Sequence, residues 1–139
     1  MKYNFLVSVF IILLLSVYLL SSDGQDISGS EISVEQVYGK VKTDSTVFLI
    51  DVRTASEFNG TLGHIPGSVL ITLSELEARL DDLRPFEDRD IIVICRSSNR
   101  SGVATRILRE NGFKAFNMLG GMRAWNKMIE STERDQTGN

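Results

Sequence analysis

The spacing of apolar positions changes several times along the chain, and each change marks an element. Residues 5–20 are almost wholly apolar and carry no charge, with Lys2 just ahead of them. A signal peptide has a basic start and an apolar stretch of about 7–15 residues. A spanning helix needs about 17–25. This run falls between the two, and Ser21-Ser22-Asp23-Gly24 supplies small residues for a cut without a good A-x-A match. Residues 1–22 therefore read as a signal peptide or a membrane anchor, with a buried core helix as the third reading. The first two keep Lys2 inside and put the rest outside, in a periplasmic or secreted location. Membrane contact would come only through residues 5–20, if uncleaved. Residues 23–31 are polar and rich in Gly and Ser, and read as a linker.

Residues 32–130 carry the pattern of one folded domain. Ser33 and Gln36 fit a capping box, and Val34, Val37, Tyr38 and Val41 follow at helical spacing, predicting a helix over 34–42. Thr46 to Val52 is an apolar run without alternation, as expected of a parallel strand buried on both faces. Val69-Leu70-Ile71 is a shorter candidate strand. Ser74 and Glu77 fit a second capping box, and Leu73, Leu76, Leu80 and Leu83 predict a helix that stops at Pro85. Ile91 to Ile94 is the next buried strand. A helix follows from about Ser101 to Asn111, closed by Gly112. Ala115 to Leu119 predicts a strand, and Met122 to Met128 a last helix after Gly120-Gly121. Residues 131–139 are polar and read as a flexible tail. Strands alternating with helices give an α/β class, with a mainly parallel sheet of four to five strands flanked by helices. An N-terminal hydrophobic helix precedes it.

Charge and cysteine count narrow the chemistry. The formal net charge of -3 argues against a general nucleic-acid binder. One cysteine and one histidine exclude a structural zinc site and an intramolecular disulfide. The cysteine, Cys95, ends the Ile91–Ile94 run. It opens the polar loop Arg96-Ser97-Ser98-Asn99-Arg100-Ser101, which leads into a helix. A thiol becomes a good nucleophile only as thiolate. The helix N-terminus, the free N–H groups of the loop, and the charges of Arg96 and Arg100 all favour that form. Four arginines and no acidic residue lie between Asp90 and Glu110, so an acidic protein has a basic patch suited to an anionic substrate. Arg106 and Arg109 lie opposite the apolar helix face and read as solvated. Parallel sheets place their sites outside the carboxyl ends of the strands. That rule brings Asp51 and Arg53 to the same rim as Cys95.

These motifs, taken in order, resemble the rhodanese family of sulfurtransferases in single-domain form, over about residues 32–128. The resemblance rests on Ile50-Asp51-Val52-Arg53, Glu57-Phe58, Gly63-His64-Ile65-Pro66-Gly67-Ser68, the Cys95–Ser101 loop, and Gly112-Phe113 through Leu119-Gly120-Gly121 to Trp125. It implies that Cys95 accepts a sulfane sulfur from a donor such as thiosulfate and passes it to cyanide or a thiol. Residues 96–101 would bind substrate and cradle the persulfide, with Asp51, Arg53 and Glu57 in support. No metal and no organic cofactor is implied. Glu57 resembles the family's acidic partner of the loop arginine, Arg100. His64 reads as a turn-fixing residue rather than a base, and Trp125 as core. Four residues separate Cys95 from Arg100. The related phosphatases and arsenate reductases have five, so the loop favours sulfur. Ser98 departs from the glycine that many relatives carry, which predicts a strained cradle. A non-catalytic binding module of the same fold is the alternative reading.

Overall fold

The computed structural model describes residues 29–137. The expected leader, residues 1–22, and most of the expected linker lie outside the described residues, as does the hydrophobic helix. Among the described residues, no helix is long and apolar enough to cross a membrane.

The chain opens with β1 (Glu31–Ile32) and α1 (Val34–Thr43). The capping box forms as expected: the Gln36 N–H donates to Ser33 Oγ at 3.3 Å, and the Ser33 N–H donates to Gln36 Oε1 at 3.0 Å. Next come β2 (Phe48–Asp51), a short α2 (Ala55–Phe58) and β3 (Val69–Leu70). A 3-10 turn (Glu77–Arg79), α3 (Leu80–Leu83) and a second 3-10 turn (Arg84–Phe86) lead into β4 (Ile91–Ile94). Then α4 (Asn99–Glu110), β5 (Ala115–Met118) and α5 (Gly121–Thr137) complete the fold.

All five strands are parallel, in the order β1-β5-β4-β2-β3. Alternation along the strands sorts the core onto two faces. Ile50, Val52, Ile91, Val93, Cys95 and Ala115 pack with Leu76, Leu83, Ala104 and Leu108. Leu49, Ile92, Ile94 and Met118 pack on the other side with Val34, Val37, Met122 and Trp125. Covered on both faces, β4 is buried at every position, which is why its sequence shows no alternation. Each such aliphatic side chain contributes about 1.5–3 kcal/mol by leaving water. Trp125 is core, as its place in the apolar pattern suggests.

Four expectations change. The last residue of the expected linker, Glu31, is in β1, which pairs with β5 at Glu31↔Asn117 and Ile32↔Met118. The expected helix after Ser74 is broken into short turns. The Thr72 N–H donates to Glu75 Oε2 at 3.2 Å and the Glu75 N–H to the Thr72 carbonyl at 2.9 Å, so a turn closes here in place of the expected capping box. The leucine spacing still reports the buried face, since Leu76 and Leu83 are core. Pro85 sits at the start of a 3-10 turn, where its missing N–H costs little. Finally, α5 runs on to Thr137, into the residues read as tail. Met128 and Ile129 continue its apolar face against the core.

Candidate active site

Strand β4 carries Cys95 to the carboxyl edge of the sheet, between β2 and β5. The loop is short because α4 begins at Asn99, ahead of the expected Ser101. Asn99, Arg100 and Ser101 therefore form its first turn. Ser98 is the residue that turns the chain, with φ 80° and ψ −15°. It is the one non-glycine with positive φ among the described residues, so the strain expected of serine here is present. The turn aims the Ser98 N–H back at Cys95 Sγ, 3.1 Å away, while the Ser98 carbonyl accepts the Gly102 N–H at 2.9 Å.

The thiol is buried, only 1% exposed. Burial by itself pushes its pKa up. Hydrogen bonds from the Ser101 hydroxyl and from the N–H groups of Ser101, Ser97 and Ser98 outweigh burial and hold it below the ordinary thiol value. Of the three influences expected from the sequence, the loop's fixed N–H and hydroxyl dipoles are the ones that lower the thiol's pKa here. Arg96 is exposed and has no ion-pair partner among the described residues. Arg100 is paired with Glu57, with Nη1–Oε2 at 2.8 Å and Nη2–Oε1 at 2.6 Å.

Ser101 is buried, and its Oγ lies 3.1 Å from Cys95 Sγ, 3.1 Å from the Ser98 carbonyl oxygen and 2.7 Å from Asn117 Oδ1. One hydroxyl proton thus faces three acceptors. Turning the Asn117 amide end for end would present Nδ2 as a donor to Oγ and free the hydroxyl proton for a thiolate. Asn117 stands on β5 opposite Val93, and sequence reasoning missed it. The available signal was a polar residue within the apolar Ala115–Leu119 run.

Glu57 is positioned by its own capping box. The Glu57 N–H donates to Thr54 Oγ1 at 3.3 Å, and Glu57 Oε2 accepts the Thr54 N–H at 3.1 Å. The Arg100 guanidinium, opposed by partial burial and joined by the Thr54 donors, lowers its pKa to about 2. The expected Glu57–Arg100 pair is therefore present. Asp51 and Arg53 form a second pair, fully buried on both sides, with Nη2–Oδ2 at 2.7 Å. Arg53 also donates to the carbonyls of Glu57 (3.2 Å) and Gly63 (2.7 Å), so it braces the segment that bears Glu57. His64 Nδ1 lies 3.1 Å from the Phe58 carbonyl, and its ring stacks on Phe58 at 3.8 Å. It has the turn-fixing place expected of it.

The start of α5 closes the outer side of the loop. The Met122 N–H donates to the Cys95 carbonyl at 2.9 Å and the Arg123 N–H to the Arg96 carbonyl at 3.2 Å. These contacts need Gly121, because a Cβ there would lie 2.4 Å from the Cys95 carbonyl oxygen and 2.6 Å from Ser97 N. Beside the loop lies an open cavity of about 440 Å³ whose lining includes Arg53, Glu57, Leu62, Arg96 and Arg123. Neither Gly121 nor Arg123 was recognised as a site residue from sequence. Among the described residues, no group of three His, Cys, Asp or Glu side chains could hold a metal ion.

Comparison with known proteins agrees with this geometry. The model of the rhodanese-like domain matches residues 33–128. A Bacillus subtilis protein named as a sulfur carrier, YrkF, is 40% identical over 101 residues, covering 72% of this chain and 52% of its own. The chain thus spans about half of that relative's length. A second Bacillus subtilis protein, YtwF, named as a sulfurtransferase, is 37% identical over 95 residues, 68% of this chain and 88% of its own. The crystal structure of a rhodanese-like domain protein from Staphylococcus aureus superposes with a TM-score of 0.62 at 28% identity, covering 69% of this chain and 90% of that one.

Proposed function

The chain belongs to the rhodanese-like domain family, and on that premise we propose that it is a sulfurtransferase in which Cys95 carries a sulfane sulfur as a persulfide. The observation that carries the reading is the buried thiol at the end of β4, which accepts hydrogen bonds from the Ser98 N–H and the Ser101 hydroxyl. Such fixed donors stabilise a thiolate before any substrate arrives.

Thiosulfate fits as donor because it is a small dianion and the loop is flanked by Arg96, which has no ion-pair partner among the described residues. The Cys95 thiolate attacks the outer sulfur of thiosulfate. The sulfur–sulfur bond of the donor breaks, its electron pair leaves with sulfite, and Cys95 becomes a persulfide anion. An acceptor, cyanide or a thiolate, then attacks the terminal sulfur, and Cys95 departs as thiolate. No proton need move in either half, so the loop's task is to hold negative charge. The N–H groups that face Sγ are suited to the persulfide as well. Four residues between Cys95 and Arg100 leave less room for a tetrahedral oxyanion than a longer loop would. We also propose that the domain works outside the cytoplasm, directed there by residues 1–22; N-terminal sequencing and cell fractionation test that.

The decisive measurement is the intact mass of the purified domain after incubation with thiosulfate. The expected outcome is a gain of one sulfur atom, its absence in Cys95→Ala, and its loss on adding cyanide with formation of thiocyanate. A wild-type protein that gains no sulfur overturns the reading.

A further inference from the structure

The charges around the Cys95 loop cancel in two pairs, Asp51 with Arg53 and Glu57 with Arg100. Two guanidiniums remain uncancelled. Arg96 and Arg123 are exposed, and neither has an ion-pair partner among the described residues. Both line the cavity of about 440 Å³, and the Arg123 N–H is bonded to the Arg96 carbonyl, so the two side chains rise from adjacent points on one wall. In a protein of net charge -3 this is a local excess of positive charge beside the nucleophile. The space is also large for the small donor. Cavities of about 300–1,000 Å³ accommodate small organic ligands, whereas thiosulfate has only five heavy atoms. Leu62 on the wall suits the carbon skeleton of such a ligand.

We propose that this cavity seats the body of a low-molecular-weight thiol that bears carboxylates and exchanges sulfane sulfur with Cys95. Arg96 and Arg123 bind the carboxylates, and Arg123 is thereby a specificity-determining residue. The inference rests on the sulfurtransferase reading above. Its chemistry adds no new reagent. The thiolate of the bound molecule attacks the terminal sulfur of the Cys95 persulfide, the sulfur–sulfur bond to Cys95 breaks, and Cys95 keeps the electron pair. The acceptor leaves as a persulfide anion. Loading from the same kind of persulfide is the reverse step.

The test compares an anionic with a neutral acceptor. Protein loaded with thiosulfate is unloaded with mercaptosuccinate or with 2-mercaptoethanol, and sulfur loss is followed by mass. In Arg123→Gln, the ratio of kcat/KM for mercaptosuccinate to that for 2-mercaptoethanol falls about tenfold, as loss of a charge-assisted contact implies. It falls further in Arg96→Gln/Arg123→Gln and recovers in part in Arg123→Lys. An unchanged ratio overturns the subsite while leaving the transferase activity standing. A second arm needs no sulfur transfer: S-methylglutathione, which has no free thiol, protects Cys95 from iodoacetamide. The protecting concentration rises about tenfold in Arg123→Gln. If Cys95 fails to load, the sulfurtransferase reading falls, and the protection arm still decides the cavity. Absence of protection in the wild-type protein overturns it.

Discussion

Two ion pairs lie close together in this molecule and do different work. Asp51–Arg53 joins neighbours in sequence, is fully buried, and ties the end of β2 to the carbonyls of Glu57 and Gly63. Glu57–Arg100 joins residues 43 apart, with side chains 28% and 36% exposed, and fastens α2 to the first turn of α4. The inner pair fixes the platform from which the outer pair reaches the loop. A pair out of water is hard to break and adds little that an apolar pair could not, whereas a pair at the rim is cheap to break and holds its charges where a substrate meets them.

The largest expected effect breaks the inner pair. Arg53→Met leaves Asp51 buried and uncompensated, and lowers unfolding stability by about 3–5 kcal/mol in urea titrations. Asp51→Leu/Arg53→Met recovers part of that loss, since no lone charge remains. A midpoint for Arg53→Met no lower than that of Glu57→Gln would abolish the distinction between the pairs. Next is Ser101→Ala, which leaves the buried Asn117 amide without its hydroxyl partner at a cost of about 1–3 kcal/mol. The same variant moves the pH midpoint of Cys95 alkylation by iodoacetamide upward, because a donor to the thiolate is gone. An unmoved midpoint would show that Ser101 serves packing only.

The outer pair gives a smaller effect with a pH signature. Glu57→Gln costs about 1 kcal/mol or less at neutral pH. The folded-state pKa of Glu57 is depressed to about 2. Its stabilisation is therefore complete above the usual carboxylate range and is lost as pH falls toward 2. The difference in unfolding free energy between wild type and Glu57→Gln should shrink as pH falls from 6 toward 2.5; a flat difference would contradict the pairing. Smallest is Ser98→Gly, which relieves the left-handed conformation at φ 80° and raises stability by about 0.5 kcal/mol, net of the added freedom of the unfolded chain. A lowered urea midpoint would mean that the Ser98 hydroxyl, bonded to the Ser97 carbonyl, matters more than the backbone.

Much of this was legible in the chain. Buried parallel strands announce themselves as apolar runs without alternation, which located β2 and β4. The Cys95–Arg100 loop and its Glu57 partner were recognisable from residue types in order. What stayed hidden depends on register and approach. Asn117 enters the site because β5 pairs with β4 at Val93↔Asn117, a relation that no local pattern states. β1 is two residues long, too short for any periodicity. The 72–86 segment kept its leucine spacing but not its continuity, because turn hydrogen bonds between Thr72 and Glu75 take the backbone groups a continuous helix would use. The loop N–H groups expected from the strand–loop–helix order do face the thiol, but the Ser101 hydroxyl beside them depends on the packing of α4 and was not singled out as a donor to Cys95.

Gly121 has a consequence for redesign. The loop is walled by the backbone of α5, with no side chain between them that could be trimmed to make room. An inserted residue, which would lengthen the loop toward that of an oxyanion-processing relative, meets main chain at once. Loop length and the placement of α5 are thus mechanically coupled: a change of chemistry by insertion must relocate a whole helix, whereas a change of partner needs only new side chains around the cavity.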